Sequence, residues 1–386
     1  MRPRNLLTKL QETARLYPVV LLDGPRQSGK TTLSRGAFPE KAYVSLEPMD
    51  NREFARSDPR GFLSEFQAGA IIDEVQHAPD LLSYLQDEVD RDPAPGRFIL
   101  TGSQNLAVSQ GVSQSLAGRA GVLHLLPLSR DEVGNFPGAP TGLFELLWGG
   151  GYPRIYDRGI PAGQWLADYV ATYVQRDVRQ ILNVGDLNRF TAFLRLCAAH
   201  TAQELRLSAL GSDAGVSHNT ANAWLSVLES SFLCFRLPAW HRNIRKQPVK
   251  TPKLHFFDSG LLCYLLGIRE PSQLRHHPLR GAIFESWVVS EHYKQQIHRG
   301  QEPQFFHFRE TRGVEVDLVQ IADGATILVE AISGETIAGD FFRSLQALEQ
   351  LLKRHGISEA LEKRLVYGGA QAFDRNGVRV IPWSSI

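Results

Sequence analysis

The string Gly24-Pro25-Arg26-Gln27-Ser28-Gly29-Lys30-Thr31-Thr32 satisfies the spacing G-x-x-x-x-G-K-S/T, directly after the apolar run Val19 to Leu22 and before a plausible helix. Main-chain N–H groups converge on a phosphate only where no Cβ stands in the way, which explains the glycines, and the N-terminus of the following helix adds its own field. In that role Lys30 reaches the β- and γ-phosphates and Thr31 ligates magnesium, while Thr32 packs the helix or adds a phosphate contact. The expected cofactors are therefore ATP and Mg2+. A second pair, Asp73 and Glu74, closes the apolar run Ala70 to Ile72. Two acids at a strand end are ordinarily a solvated turn. With a phosphate loop upstream they acquire roles, Asp73 holding the magnesium hydration shell and Glu74 accepting a proton from, or orienting, the attacking water.

These residues need a scaffold, and the N-terminal part supplies one. Short apolar runs at Val19 to Leu22, Ala42 to Leu46, Ala70 to Asp73, Arg97 to Thr101 and Val122 to Leu126 alternate with longer polar or helical stretches. That rhythm predicts an α/β fold with a parallel sheet covered by crossover helices. The run Gly149, Gly150, Gly151 breaks it. Mainly helical sequence follows from about Gln164 to His200, then a helix-turn-helix pattern from Leu207 to Glu229 and a strand from Phe232 to Leu237. Beyond Gly281 the pattern predicts a helix at Ala282 to Gln295, strands at Gln304 to Arg309, Val314 to Gln320 and Thr326 to Ile332, a helix near Asp340 to His355, and strands near Arg364 to Tyr367 and Val378 to Ile381. The boundaries read from this are 1–140, 141–200, 201–253 and 254–386.

Composition bounds the rest. Forty-two Lys plus Arg against forty-one Asp plus Glu among 386 residues leave a formal charge of +1, so whole-chain charge selects neither nucleic acid nor acidic partners. The three cysteines, Cys197, Cys234 and Cys263, lack zinc-site spacing and fit a reducing cytoplasm. No stretch reads as a signal peptide or a membrane span.

The order of phosphate loop, further strand, IIDEVQ and FILTGSQN resembles the AAA+ branch of P-loop ATPases. That resemblance implies a polar sensor at the end of the fourth strand, assigned to Ser103 with Thr101 and Gln104 as rivals. It also implies an arginine before the fifth strand that reaches a neighbouring subunit's nucleotide, here Arg119 in SLAGR, and hence a homo-oligomer. A cation at a helix C-terminus is the plainer reading of Arg119. Over nearly its whole length the chain is similar to a widespread group of prokaryotic AAA-type ATPases of unknown cellular role. The stretches that carry this include GPRQSGKTT, IIDEVQ, LAGR, LPLSRDE, the GGYPR turn, YVQRDV, SHNTANAWLSVLE, HFFDSGL, FESWV and EVDLV.

Between Leu207 and Glu229, Leu207, Leu210 and Ala214 form one apolar stripe, Gly215 permits the turn, Ser217 caps the second helix, and Ala221, Trp224, Leu225 and Leu228 form its inner face. Outward residues His218, Asn219 and Asn222 suit base edges, and His241, Arg242, Arg245, Lys246, Lys250 and Lys253 suit phosphates, as in a winged-helix DNA-binding unit. Equally, such units serve as lids or subunit contacts, and a basic run is a solvated face. Arg176 and Asp177 divide between a nucleotide or domain contact and a surface ion pair. In the C-terminal part, Glu285, Asp317 and Glu330 resemble the acids of the PD-(D/E)XK nuclease fold, but Ile332 stands where that family has its lysine, with Lys294 as a substitute. A structural or binding derivative of the fold is the expectation, its acids either unpaired relics or satisfied by Arg309 and Arg312. The overall expectation is an AAA+ ATPase acting on DNA or a protein partner; the alternatives are a slow nucleotide-gated switch and an ATP-regulated nuclease.

Overall fold

In the computed structural model, which describes residues 2–102, 115–173, 187–240, 251–310, 313–322, 324–354 and 360–386, three apolar runs of the N-terminal part, at Val19–Asp23, Ala70–Asp73 and Phe98–Thr101, are strands buried from both sides. The chain forms two compact units, residues 1–136 with 230–232 and 295–301, and residues 137–229 with 233–294 and 302–386.

In the first unit, β1 (Val19–Asp23), β2 (Ala42–Ser45), β3 (Ala70–Asp73), β4 (Phe98–Thr101) and β5 (Ala120–His124) form a parallel sheet in the order β2-β3-β4-β1-β5. Side chains alternate between faces with the period of two that strands impose. Val19, Leu21, Ala70, Ile72, Phe98 and Leu100 pack beneath the helices Pro59–Ser64 and Leu81–Arg91. Val20, Leu22, Ile71 and Ile99 pack beneath α1 (Leu7–Leu16) and α2 (Lys30–Ala37). Both faces are covered over β1, β3 and β4, so these strands read as continuous apolar runs rather than alternating ones. The chain leaves β1 toward β2 and leaves β4 toward β5, in opposite directions across the sheet. A crevice opens where neighbouring connections diverge, at the carboxyl ends of the strands.

The second unit begins with helices, among them Ala162–Tyr173, Leu187–Ala199, Leu207–Asp213 and His218–Ser230. The last two form the expected helix-turn-helix: Gly215 is left-handed, the Ser217 hydroxyl accepts the Thr220 N–H, and Ala221, Trp224, Leu225 and Leu228 are buried while His218, Asn219 and Asn222 are exposed. A two-stranded antiparallel ribbon follows, β6 (Cys234–Leu237) with β7 (Lys253–Phe256). Residues 241–250, with most of the basic run, lie outside the described residues, as do Arg176 and Asp177. The C-terminal sheet is mixed, in the order β12-β13-β11-β10-β9-β8, with β8 at Phe305–Arg309, β9 at Glu315–Ala322, β10 at Ala325–Ile332, β11 at Ala360–Tyr367, β12 at Phe373–Arg375 and β13 at Val378–Pro382. Helix Arg343–Arg354 seals one face with Leu345, Leu348, Leu351 and Leu352. Strand β12 is the one strand of this sheet that the sequence reading passed over; it also passed over β7 and the helices Ser259–Leu265 and Pro271–His276. Among the described residues no helix is long and apolar enough to cross a membrane.

Two motifs without an assigned chemistry meet in this unit. Asp258, of HFFDSGL, caps helix Ser259–Leu265, its Oδ1 accepting the Leu261 N–H at 2.7 Å and its Oδ2 the Gly151 N–H, from the GGYPR turn, at 2.6 Å. Gly150 is left-handed, and a Cβ there would lie 2.6 Å from Asp258 Oδ1 and 2.9 Å from the Gly260 backbone. The motifs are thus a joint between two helical segments. Asp258→Ala leaves two buried N–H groups without an acceptor and is expected to destabilise this unit by about 2–4 kcal/mol, with Asp258→Asn recovering part. Thermal unfolding of the alanine variant at the wild-type temperature would rule the joint out.

Candidate functional site

The chain turns at the carboxyl end of β1 through Gly24 to Gly29 and enters α2 at Lys30. At Gly24, φ is 149° and a Cβ would meet the Leu125 carbonyl oxygen at 2.2 Å. The first glycine is therefore fixed by the chain leaving β5 as well as by the needs of the loop's concave side. Pro25 and Ser28 are buried, Arg26 is half-buried, Gln27 is exposed with a left-handed φ of 64°, and Thr32 is exposed on α2. Lys30 is 6% exposed, and its ammonium donates to the Gly24 and Pro25 carbonyls at 2.9 and 2.8 Å. Burial lowers its pKa, opposed by the nearby carboxylates of Glu74, Asp23 and Asp73.

Asp73, at the tip of β3, is 6% exposed and accepts hydrogen bonds from three hydroxyls. Thr31 Oγ1 lies 3.1 Å from both carboxylate oxygens, Tyr43 Oη is 2.8 Å from Oδ2, and Thr101 Oγ1 donates to Oδ1. Burial, together with the bond to Asp73, pushes the Tyr43 hydroxyl up to about 12. Sequence reasoning missed Tyr43 altogether and knew Thr101 only as a rival sensor. Their common address becomes visible once the sheet order places β2 and β4 on either side of β3. Glu74 follows in a left-handed conformation with φ 58°, costly for a residue with a side chain, and accepts from the Gln76 amide.

Ser103 and Gln104 lie outside the described residues. Arg119 immediately precedes β5 and donates to Asp90 Oδ2 at 2.9 Å and to the Ala117 carbonyl at 3.2 Å. Since β1 and β5 run parallel with Val19 beside Ala120, Arg119 sits at the amino edge of the sheet and the phosphate loop at the carboxyl edge. A strand's length, roughly 13 Å, separates them, and the arginine is not brought to its own chain's loop.

The acids of the C-terminal part also meet, around a cation that the sequence reading put elsewhere. Lys253, assigned there to a phosphate-gripping run, is 2% exposed. Its Nζ is 2.7 Å from Glu285, 2.7 Å from Glu315 and 3.8 Å from Asp317. Asp317 accepts the Ala331 N–H at 2.9 Å and shares a hydrogen bond with Glu330. Burial pushes Glu285 up to about 8 and raises Asp317 and Glu330 as well, while the surrounding carboxylates outweigh burial at Lys253 and raise its pKa. The ammonium at this cluster is thus Lys253. Lys294 instead donates to Glu291 at 2.8 Å, and Arg309 pairs with Glu204 and Glu315 at 3.2 and 3.8 Å; Arg312 lies outside the described residues. With an ammonium at its centre the cluster does not fit a divalent cation, and among the described residues no group of three or more His, Cys, Asp or Glu is set to hold one. Thr31 and Asp73 differ, since a hydroxyl and a carboxylate already in contact are the hard oxygen donors that magnesium takes.

Residues 16–134 match a family model described as an AAA domain. The N-terminal unit has the P-loop NTPase fold. Residues 141–272 and 280–386 match two domains of unknown function, DUF8612 and DUF4143. The chain is similar to uncharacterized proteins of Mycobacterium bovis and Mycobacterium tuberculosis, each 32% identical over 295 residues, covering 75% of this chain and 65% of that protein. It therefore spans 65% of the length of these curated relatives. Among solved structures it is similar to a Walker-type ATPase of Pyrococcus abyssi, with TM-score 0.44 and 15% identity over 69% of this chain and 96% of that one. A Thermotoga maritima RuvB variant matches with TM-score 0.30 and 19% identity over 60% and 87%.

One acid of this P-loop unit was not singled out by sequence. Asp23, 1% exposed, accepts the Gly24 N–H at 2.7 Å through Oδ1, while Oδ2 is buried without a partner among the described residues. Burial pushes it from its ordinary 3.8 to about 6, with the Gly24 N–H and Lys30 pulling the other way. A carboxyl raised on folding favours the folded state below its unfolded pKa and loses that advantage as pH rises through its folded one. At neutral pH the buried charge costs about 3 kcal/mol. Asp23→Asn should therefore unfold at a higher temperature than wild type at pH 7.5, with the gap closing as pH falls from 6 toward 3.8. Equal melting at pH 7.5 would show that the acid is not strained.

Proposed function

We propose that this chain binds ATP with magnesium and hydrolyses it. One observation carries the reading. The Thr31 hydroxyl at the start of α2 rests on Asp73 at the tip of β3, 42 positions on, beside an ammonium enclosed by the loop that precedes it. This supports a site in which main-chain N–H groups from Gly24 to Thr31 hold the phosphates, and Lys30 exchanges the Gly24 and Pro25 carbonyls for phosphate oxygens. Pro25, Arg26, Gln27, Ser28 and Thr32 complete the loop. Thr31 and Asp73 would hold magnesium, whose contribution is to offset charge on the phosphate oxygens. Tyr43 and Thr101 fix the rotamer of Asp73, and Glu74 orients the attacking water and takes its proton. Arg119, remote from its own loop, completes the site of a second copy in a homo-oligomer, and Ser103 senses the γ-phosphate.

In this proposal the boundaries 1–140, 141–200, 201–253 and 254–386 separate an AAA+ core, a helical region, a winged-helix-like region and a derivative of the PD-(D/E)XK fold. Turnover in the core switches the others on DNA or a protein partner. The three cysteines are free and buried, which suits a cytoplasmic protein.

Lys30→Ala is expected to weaken ATP binding by about a hundredfold. Glu74→Gln should bind ATP as wild type does while turnover falls about a hundredfold or more. Turnover per chain should rise with protein concentration in the wild type and stay flat in Arg119→Ala. Calorimetry and phosphate release decide the matter; wild type that takes up no ATP, or a Glu74→Gln rate equal to wild type, would end the proposal.

A further inference from the structure

We propose that Arg4, held by Glu132, is a positioning residue for the phosphate loop; this rests on the ATP-binding reading above. Arg4 stands before α1, is 8% exposed, and spends its guanidinium on three separate segments. Its Nε donates to Glu132 Oε1 at 2.9 Å, one terminal nitrogen to the Ser28 carbonyl at 2.7 Å and the other to the Leu126 carbonyl at 2.8 Å. Ser28 lies inside the loop, and Leu126 follows the residue whose carbonyl presses on Gly24. One rigid, planar cation thus spans both flanks of the phosphate loop.

Peptide geometry turns that anchor into aim. The Ser28 carbonyl and the Gly29 N–H belong to one planar trans unit, so they point in opposite directions. Fixing the oxygen on Arg4 directs the Gly29 N–H away from Arg4, into the concave side of the loop. That N–H is among the groups a phosphate takes in such loops. Left alone, Gly29, with no Cβ and a φ of 96°, has the backbone freedom to turn this amide elsewhere.

Glu132 keeps the guanidinium in place. It is fully buried, and its carboxylate also accepts the Asn5 N–H at 2.6 Å and the Ser129 N–H at 3.0 Å. Burial would raise its pKa, but Arg4, His298 and those two N–H groups hold it at about 2, so it stays charged at any working pH. This gives LPLSRDE, a motif without a role in the sequence, a task in the P-loop unit. Ser129 caps the turn that presents Glu132, and Asp131 accepts from Asn5 at 2.9 Å to hold the N-terminal segment alongside.

Arg4→Ala would strand a buried carboxylate and put folding at risk. Two gentler variants separate positioning from stability. Arg4→Lys keeps a cation for Glu132 but cannot reach three divergent acceptors; Arg4→Met with Glu132→Gln removes both charges together. In each, the dissociation constant for a fluorescent ATP analogue should rise about tenfold or more, with turnover at saturating ATP within about twofold of wild type. The Gly29 amide resonance should move in nucleotide-free Arg4→Lys, with amides of β2 and β3 unmoved. Folded variants that bind like wild type with an unmoved Gly29 resonance would overturn the role. Absence of ATP binding in the wild type would instead remove the nucleotide reading, leaving the Gly29 resonance to judge the anchor.

Discussion

A carboxylate taken out of water costs several kcal/mol unless its lone pairs are filled, and Asp73 meets that demand with hydroxyls from three directions. Thr31 comes from α2, Tyr43 from β2 and Thr101 from β4, the elements around β3. Each donor is useful only if its element occupies its own place in the order β2-β3-β4-β1. The same contacts that satisfy the acid therefore hold the loop after β1 against the tip of a strand two places away. Lys30, buried among Asp23, Asp73 and Glu74, adds the balancing positive charge.

Around this centre the molecule tolerates local cost. Glu74 and Gln27 are left-handed without being glycine, and Asp23 is buried beyond what its single hydrogen bond offsets. Gln27 lies in the phosphate loop, Asp23 just before it, and Glu74 just after the acid strand. Ala202, Phe232 and Asn376 are left-handed elsewhere in the chain, but local cost of this kind beside a cleft is typical of sites that hold groups ready for a ligand rather than at their own minimum.

The parallel sheet was legible because strands covered on both faces leave uninterrupted apolar runs, and the phosphate loop because its spacing has a geometric cause. The helix-turn-helix was legible from the stripe Ala221, Trp224, Leu225, Leu228 and a glycine turn. Other features depend on partners far away in the chain. Tyr43 belongs to the site only through strand order, and Arg4 meets Glu132 across 128 positions. Lys253 was misread because its neighbours in sequence are basic, whereas its neighbours in space are Glu285, Glu315 and Asp317. Strand β12 is different, since its signal was in plain view. Asn376 and Gly377, both left-handed, make the two-residue turn that joins β12 to β13, and Asn-Gly is among the strongest hairpin signals in any sequence.

The Lys253 ammonium has a consequence for how this chain can be divided. Strand β7 brings a charge that it cannot leave dry without acids from residues 285 to 317, and those acids crowd one another without it. A polypeptide severed anywhere between them would leave each fragment with an ionic debt that only the other can settle. With Lys253 only 2% exposed, salt screens this pairing much less than it screens an ion pair on the surface.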